Sequence, residues 1–280
     1  MKNFIDVEDL DKIENKIIID VTSGDGENRG YDIYKKGHLK GAFFMDVDED
    51  LAGQATEETG NHPLPSKEKF KSKLESFGAN DHSAFIIYDK GDNATAPRLW
   101  FLLKYFSVKN VYVINGGMKA ITTGKIELSL EQPKSIKGSL HLIERPELIA
   151  SYQEVLDNAK NPKKEVALID SRAKERYLGN IEPLYSKAGH IPGARSYQFV
   201  DNYNEEGKLK PLEELESRFC DLRGKDIMVS CGSGITACSN LIVLDELGIG
   251  ARLYNGSYSQ WLKKDQDVTT EDQTSDTYYK

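Results

Sequence analysis

Short runs of consecutive apolar residues alternate along the chain with segments in which apolar residues recur every three or four positions. The runs at 85–88 (FIIY) and 227–230 (IMVS) have the length and unbroken apolar character of buried parallel strands. After each run, apolar residues return at helical spacing: Leu99, Trp100, Leu102, Leu103 and Phe106 in one case, and Ala237, Leu241, Leu244 and Leu247 in the other. This alternation predicts an α/β fold with a mainly parallel sheet flanked by helices.

Four blocks of sequence occur twice and in the same order. Apolar runs closed by Asp20 and Asp170 come first, followed by GHLKGA at 37–42 and GHIPGA at 189–194. The strand–loop–helix segments come next, and each half then has a strand followed by Asn-Gly and a helix start. Such self-similarity predicts two tandem modules. The predicted boundaries are 1–124 for the first domain, 125–148 for a polar linker, and 149–280 for the second domain with its polar tail. The tail from Lys263 onward has few apolar residues and is expected to fray.

Length, composition and charge limit the class of protein. With 280 residues and a prior of about 150 residues per domain, the chain is expected to form two domains. The net charge of −8 and the lack of a basic cluster argue against a nucleic-acid partner. No stretch approaches the roughly 20 apolar residues of a membrane helix, so no membrane partner is expected. The N-terminus has acidic residues and no apolar run, so we expect a cytoplasmic protein.

The three cysteines are Cys220, Cys231 and Cys238, too few for a disulfide framework. No CxxC pair or His/Cys cluster has zinc-ligand spacing, so we expect no metal. We expect Cys220 and Cys238 to pack as small buried hydrophobes. Cys231 differs because it follows a predicted parallel strand, at the end where α/β proteins bind ligands.

The loop after Cys231 is suited to holding a sulfur anion. Glycines on both sides of Ser233 allow a tight turn that directs backbone N–H groups inward. A helix expected to begin near Ile235 or Thr236 adds about half a positive charge. Cysteine pKa values at such sites fall to about 3.5–7.5. The pattern predicts a nucleophilic cysteine, with simple packing as the alternative.

Several motifs together resemble the rhodanese superfamily. CGSGITA at 231–237 is similar to the active-site loop of its 3-mercaptopyruvate sulfurtransferases, and IDSRAKERYLG at 169–179 and YNGSYSQW at 254–261 are similar to further family motifs. The resemblance covers nearly the whole chain as two tandem rhodanese-like domains. It implies transfer of sulfane sulfur from a small anionic donor, with 3-mercaptopyruvate favoured, to a thiol or cyanide acceptor. It also implies a cysteine persulfide intermediate, no metal and no organic cofactor.

The resemblance also implies roles for individual residues. Cys231 would be the nucleophile. Ser233 is a candidate for proton transfer together with His38, although His190 at the matching place of the second module favours a structural role for both histidines. Arg176 would bind the donor's anionic group, whereas Arg172 would tie the strand end to its loop. The residues whose main chain would cradle the sulfur are Gly232, Ser233, Gly234, Ile235 and Thr236. Thioredoxin is the acceptor protein that the family suggests.

The sequence departs from the family at several positions. The mercaptopyruvate enzymes usually have a second arginine shortly before GHIPG, but the stretch at 180–193 (NIEPLYSKAGHIPG) has none. Lys187 there would supply a point charge in place of a guanidinium fork. Tyr258 and Gln260 replace the usual Trp and Glu and could reshape the pocket wall. Asp89 stands where the second module has its cysteine, so the first domain is expected to be non-catalytic. His62, in GNHPLP at 60–65, is either a lining residue or part of a loop.

Three other functions remain to be weighed. A thiosulfate sulfurtransferase is the nearest, although that branch of the family usually carries a basic C-R-K-G loop. A sulfur carrier without turnover is the second. A cysteine phosphatase or arsenate reductase is the third, and it is disfavoured because the required Cys-x5-Arg pattern fails at Ala237.

Overall fold

Parallel β-strands form the centre of both halves of the chain. The structure is a computed structural model that describes residues 1–24 and 29–273. Its strands are β1 (Phe4–Ile5), β2 (Lys16–Asp20), β3 (His38–Leu39), β4 (Ala42–Phe44), β5 (Ala84–Tyr88), β6 (Val111–Ile114), β7 (Leu128–Ser129), β8 (Val166–Asp170), β9 (Ala194–Ser196), β10 (Asp226–Ser230) and β11 (Arg252–Leu253).

The α-helices lie mostly between these strands. They are α1 (Gly30–Lys36), α2 (Lys67–Ser76), α3 (Ala96–Tyr105), α4 (Gly117–Thr123), α5 (Tyr152–Lys160), α6 (Lys174–Tyr177), α7 (Leu212–Arg218), α8 (Ala237–Glu246) and α9 (Ser257–Lys263). Short 3-10 helices occupy Val7–Lys12, Pro146–Leu148, Phe199–Asn202 and Cys220–Leu222. Among the described helices, none has both the length and the apolar character of a membrane span.

The contacts divide the described chain into two compact units. The first comprises Met1–Gly53, Leu64–Arg145 and Tyr203–Leu209; the second comprises Gln54–Pro63, Pro146–Asn202 and the chain from Lys210 onward. Two short segments therefore belong to a different unit from their neighbours in sequence. The boundaries predicted from the repeat remain a prediction.

Each unit contains an all-parallel sheet. The strand order is β1-β6-β5-β2-β4 in the first unit and β11-β10-β8-β9 in the second. Every residue of β5 is buried, as are the last four residues of β10, which is expected of inner strands covered on both faces. Helices α3 and α8 follow these strands, and Pro97 lies in the first turn of α3. The predicted α/β fold is confirmed.

The segment predicted as a polar linker runs in an extended conformation along the first unit. Strand β7 pairs antiparallel with β3. The backbone N–H of Leu140 donates to the Glu75 carboxylate at 3.0 Å, and that of Arg145 donates to the Tyr105 carbonyl at 2.9 Å. Leu140 and Leu142 are buried. The polar composition of this segment thus reflects its exposed side rather than a lack of structure.

The prediction that the polar tail after Lys263 frays is wrong for the part that the structure describes. Thr269 and His190 exchange two backbone hydrogen bonds of 2.8 and 3.0 Å. The side-chain oxygen of Gln273 accepts from the Gly193 backbone at 2.6 Å, and Gln273 is only 5% exposed. These polar residues complete the hydrogen bonding of the buried GHIPGA segment, which their composition does not indicate. Residues 274–280 lie outside the described residues.

A carboxylate occupies the cysteine position of the first unit. Asp89 follows β5 and is 1% exposed. It accepts backbone hydrogen bonds from Gly91 at 2.9 Å, Thr95 at 3.2 Å and Ala96 at 3.0 Å. Burial and the nearby Asp92 raise the pKa of Asp89 to about 6, although the three backbone hydrogen bonds act to lower it. The loop between β5 and α3 therefore directs its N–H groups at an acceptor supplied by the chain itself.

We expect Asp89→Ala to lower the free energy of unfolding by about 2–4 kcal/mol, because three buried N–H groups lose their acceptor. Urea denaturation measures the loss. The matched control is Asp92→Ala, which removes a carboxylate that is 36% exposed and is expected to change stability by about 0.5 kcal/mol or less. Equal losses in the two variants would contradict a specific role for Asp89.

Candidate active site

Cys231 directly follows β10, an inner strand of the second sheet. Its side chain is 2% exposed. The backbone of Cys231 is held by two hydrogen bonds. Its N–H donates to Ser257 Oγ at 3.1 Å, and its carbonyl accepts from the Tyr258 backbone N–H at 3.1 Å. The carboxyl end of a buried parallel strand thus delivers the sulfur to a defined place, as the sequence predicts.

The loop after Cys231 turns back onto the sulfur. The backbone N–H of Gly234 donates to Cys231 Sγ at 3.1 Å. Gly234 has a φ of +86°, and a β-carbon there would lie 2.4 Å from the Asn255 carbonyl oxygen. A side chain at this position would therefore have to displace backbone, so the turn that presents this N–H requires glycine.

The helix after the loop begins two residues later than its earliest predicted start, at Ala237, with Thr236 as N-cap. Its first eight residues are buried. One of them, Asn240, donates to Ser171 Oγ at 2.8 Å and to the Tyr197 carbonyl at 2.7 Å. This buried network fixes the positive end of the helix dipole behind the cysteine loop, which favours an anion there.

The other predicted cradle residues follow the same turn. Gly232 and Ile235 are buried, whereas Ser233 and Thr236 are half-buried. The Gly232 carbonyl accepts from the Ser259 backbone at 2.8 Å, which ties the loop to α9. The predicted cradle is thus contiguous with Cys231, and Ser233 stands at its partly exposed side.

The Arg172 guanidinium binds to the end of β8. It contacts the Asp170 carboxylate at 2.7 Å and Glu182 at 3.2 Å, and it donates to the Gly189 carbonyl at 2.7 Å. It also lies 4.1 Å from the centre of the Tyr258 ring. The arginine and both carboxylates are almost fully buried, so Arg172 has the tying position that the sequence analysis expects.

Arg176 lies next to Tyr185, which in turn contacts the cysteine loop. Its guanidinium forms two hydrogen bonds to Glu182, at 2.7 and 3.3 Å, and its side chain is 17% exposed. The guanidinium carbon lies 5.6 Å from the centre of the Tyr185 ring. Arg176 Nη1 has no hydrogen-bond partner among residues 1–24 and 29–273, which leaves one amino group of the fork open to a ligand.

Tyr185 was not predicted from the sequence. An ideal β-carbon on Gly232 would lie 3.0 Å from the Tyr185 hydroxyl oxygen, so the hydroxyl lies directly against the cysteine loop. Burial and the negative charge of Cys231 raise the pKa of Tyr185 to about 12, which keeps the hydroxyl protonated. The sequence could have pointed to Tyr185 by its position, because it lies between Glu182 and GHIPGA, in the stretch where the family's second arginine is missing.

Lys187 was predicted as a weak substitute for that arginine. Its ammonium is bound to Asp265 at 2.7 Å in an exposed ion pair, and its backbone carbonyl accepts from the Tyr258 hydroxyl at 2.9 Å. Its observed role is therefore a main-chain contact that positions Tyr258. The substrate-binding role stays a prediction that these contacts do not favour.

Tyr258 and Gln260, which replace the family's usual Trp and Glu, both make defined contacts. Gln260 donates to the Glu58 carbonyl at 2.7 Å, and the Tyr258 ring meets the Tyr185 ring edge-on at 5.6 Å. Asn255 donates to the His62 carbonyl at 3.1 Å, so the backbone of His62 supports the turn around Gly234. These contacts fit the loop role of His62.

His38 is fully buried within the first unit. Its two ring nitrogens face the carbonyl oxygens of Tyr34 and Glu131 at 3.0 and 3.1 Å, and the ring stacks on Tyr34 at 3.9 Å. His190 repeats the arrangement: it stacks on Tyr177 at 3.6 Å and contacts its carbonyl at 2.6 Å. These surroundings favour the structural alternative for both residues.

The other two cysteines differ from each other. The expectation of burial is wrong for Cys220, which is exposed where it begins a 3-10 helix. It is correct for Cys238, whose thiol donates to the Gly234 carbonyl at 3.4 Å. Within the described ranges, no group of three or more His, Cys, Asp or Glu side chains is arranged to hold a metal ion.

Comparison with known proteins identifies the family. The model of the rhodanese-like domain matches residues 6–123 and again 151–264. The chain is 35% identical over 247 residues to a probable 3-mercaptopyruvate sulfurtransferase of Pseudomonas aeruginosa, covering 83% of this chain and 84% of that protein. It is 30% identical to the thiosulfate sulfurtransferase of Mus musculus, covering 82% of this chain and 79% of that protein.

A solved structure agrees with these relatives. The crystal structure of SseA from Escherichia coli, reported as a 3-mercaptopyruvate sulfotransferase, superposes with a TM-score of 0.79 at 28% identity, covering 92% of this chain and all of that one. The family model matches two domains, and the relatives align over most of their own length. A cysteine lies at the end of a parallel strand in the second domain. The chain belongs to the rhodanese-like family and is a tandem-domain sulfurtransferase.

Proposed function

We propose that the protein moves sulfane sulfur from 3-mercaptopyruvate to a thiol or cyanide acceptor through a persulfide on Cys231. The observation that carries the proposal is the 3.1 Å hydrogen bond from the Gly234 backbone to Cys231 Sγ at the end of β10. A main-chain donor in a buried loop stabilises a thiolate without a competing cation. The names of the relatives support a sulfur donor of this class.

The first half-reaction forms one bond and breaks one. Cys231 Sγ, as thiolate, attacks the sulfur of the donor, and the carbon–sulfur bond breaks with its electron pair going to the carbon. The resulting enolate of pyruvate takes up the proton that the donor's thiol group carried. The enzyme is left with a Cys231 persulfide anion, and the total charge is unchanged.

The second half-reaction returns the free cysteine. The acceptor attacks the outer sulfur, and the sulfur–sulfur bond breaks with its electrons returning to Cys231 Sγ. Cyanide leaves as thiocyanate, and a thiol leaves as its persulfide. The donor carboxylate binds in this proposal to the open amino group of Arg176, while Glu182 holds the rest of the guanidinium.

We propose reduced thioredoxin as the protein acceptor and the cytoplasm as the compartment. Among the described residues, Cys220, Cys231 and Cys238 form no disulfide, which is consistent with a reducing environment. Release of sulfide from the loaded enzyme by reduced thioredoxin, compared with glutathione, measures the acceptor preference.

Thiosulfate is the alternative donor, supported by relatives named as thiosulfate sulfurtransferases. The loop residues Gly232 and Ser233 stand where that branch usually has basic residues, which favours 3-mercaptopyruvate. Cyanolysis with each donor separates the two. Lack of turnover with both donors and several acceptors would favour the carrier function.

We expect Cys231→Ser to abolish persulfide formation, because an alcohol is a far weaker nucleophile than a thiolate at this site. Intact-protein mass spectrometry after addition of donor shows whether one sulfur atom is gained. The matched control is Cys220→Ser, which changes an exposed thiol and keeps the gain. A gain that persists in Cys231→Ser would move the nucleophile elsewhere.

We expect Arg176→Ala to lower kcat/KM for 3-mercaptopyruvate by about 10- to 150-fold, or about 1.5–3 kcal/mol, mainly through KM. Arg176→Lys should recover only part of the loss because an ammonium lacks the fork. Arg223, an arginine that is 49% exposed in a 3.8 Å ion pair, gives the control Arg223→Ala with unchanged kinetics. Unchanged kinetics in Arg176→Ala would remove that residue from the site.

A further inference from the structure

Tyr185 is held against the cysteine loop by contacts on both sides of it in the chain. Three residues before it, Glu182 binds the two guanidinium groups of Arg172 and Arg176. Two residues after it, the Lys187 carbonyl accepts from the Tyr258 hydroxyl. The ring of Tyr185 packs edge-on against Tyr258. The short segment is therefore anchored, and the hydroxyl has a defined position above Gly232.

The Tyr185 hydroxyl is free to bind a ligand. The hydroxyl of the half-buried Tyr185 is open to solvent, unlike the hydroxyls of fully buried tyrosines. Those of Tyr177 and Tyr258 donate to backbone carbonyls at 2.8 and 2.9 Å. In the described part of the chain, the Tyr185 hydroxyl makes no hydrogen bond. Phenylalanine would fill the same space, so packing alone does not explain the oxygen.

The charged groups around Tyr185 cancel one another. Arg172 and Arg176 are matched by Asp170 and Glu182 through contacts of 2.7–3.2 Å. Lys187, the other cation of this segment, is bound to Asp265. A donor that approaches Cys231 therefore meets main-chain dipoles, a neutral hydroxyl and one open amino group of Arg176, whose charge Glu182 largely balances. Such a site has little with which to offset a second negative charge on the donor.

We infer that Tyr185 determines donor specificity: its neutral hydroxyl donates a hydrogen bond to the anionic donor above Gly232, so the site favours a singly charged 2-oxo thiol over doubly charged thiosulfate. This inference rests on the proposed sulfur transfer and assigns its selectivity to one side chain. The bond-making steps are those given above. Tyr185 stays protonated throughout and contributes a hydrogen bond only.

The test compares kcat/KM for 3-mercaptopyruvate and for thiosulfate, with cyanide as acceptor, in three variants. Tyr185→Phe removes only the hydroxyl and should lower kcat/KM for 3-mercaptopyruvate about tenfold, with a smaller loss for thiosulfate. Tyr185→Arg adds an unmatched cation and should raise kcat/KM for thiosulfate about tenfold. Tyr152→Phe, a tyrosine of α5 in the same unit, is the control with an unchanged ratio.

The outcomes separate this inference from the proposed function. Persulfide formation on Cys231 in the wild-type protein tests sulfur transfer and does not depend on Tyr185. If the persulfide forms but the donor ratio stays within twofold in both Tyr185 variants, the inference is overturned. Equal losses for both donors in Tyr185→Phe would also overturn it, because a general role gives no selectivity. Thermal unfolding confirms that each variant is folded before its ratio is interpreted.

Discussion

The structure depends on one requirement: backbone N–H groups in a tight loop between a buried strand and a buried helix need an acceptor. The first unit meets it with Asp89, whose carboxylate takes three such hydrogen bonds. The second unit has Cys231 at the same place, with the Gly234 N–H directed at its sulfur. Both units thus direct main-chain N–H groups of this loop at an acceptor. In the second unit that acceptor is the sulfur atom that the proposed reaction uses.

The surroundings of Cys231 carry little net charge because the arginines of the second unit are paired with carboxylates. An isolated guanidinium beside Cys231 would stabilise the thiolate, but it would also hold every anion that enters or leaves. Glu182 and Asp170 bind most of that charge within the unit. The remaining attraction comes from dipoles of fixed direction, which act on the sulfur atom rather than on the whole donor. A thiolate can then be stabilised without a penalty for the release of anionic products.

Sequence patterns predicted the features that depend on local order. The unbroken apolar runs gave the inner strands, and Cys-Gly-Ser-Gly after β10 gave the turn, because both are determined by neighbouring residues. Tyr185 and Glu182 could not be found in this way, since their roles arise only when α6 and the loop after it fold back beside Cys231. The tail was judged from polar composition, yet Thr269 and Gln273 pair with buried backbone. The exposure of Cys220 likewise depends on the end of α7 rather than on residue type.

The replacement of a cation by Tyr185 is consistent with the rest of the loop. Branches of the family that carry basic residues after the cysteine place positive charge on the loop itself, whereas Gly232 and Ser233 carry none. A β-carbon on Gly232 would lie 3.0 Å from the Tyr185 hydroxyl oxygen, so a side chain at 232 would have to displace that hydroxyl slightly. The small residue at 232 thus leaves room for the present position of Tyr185. The uncharged loop and the uncharged hydroxyl are therefore two parts of one arrangement, and each of them keeps positive charge away from the place where the donor approaches Cys231.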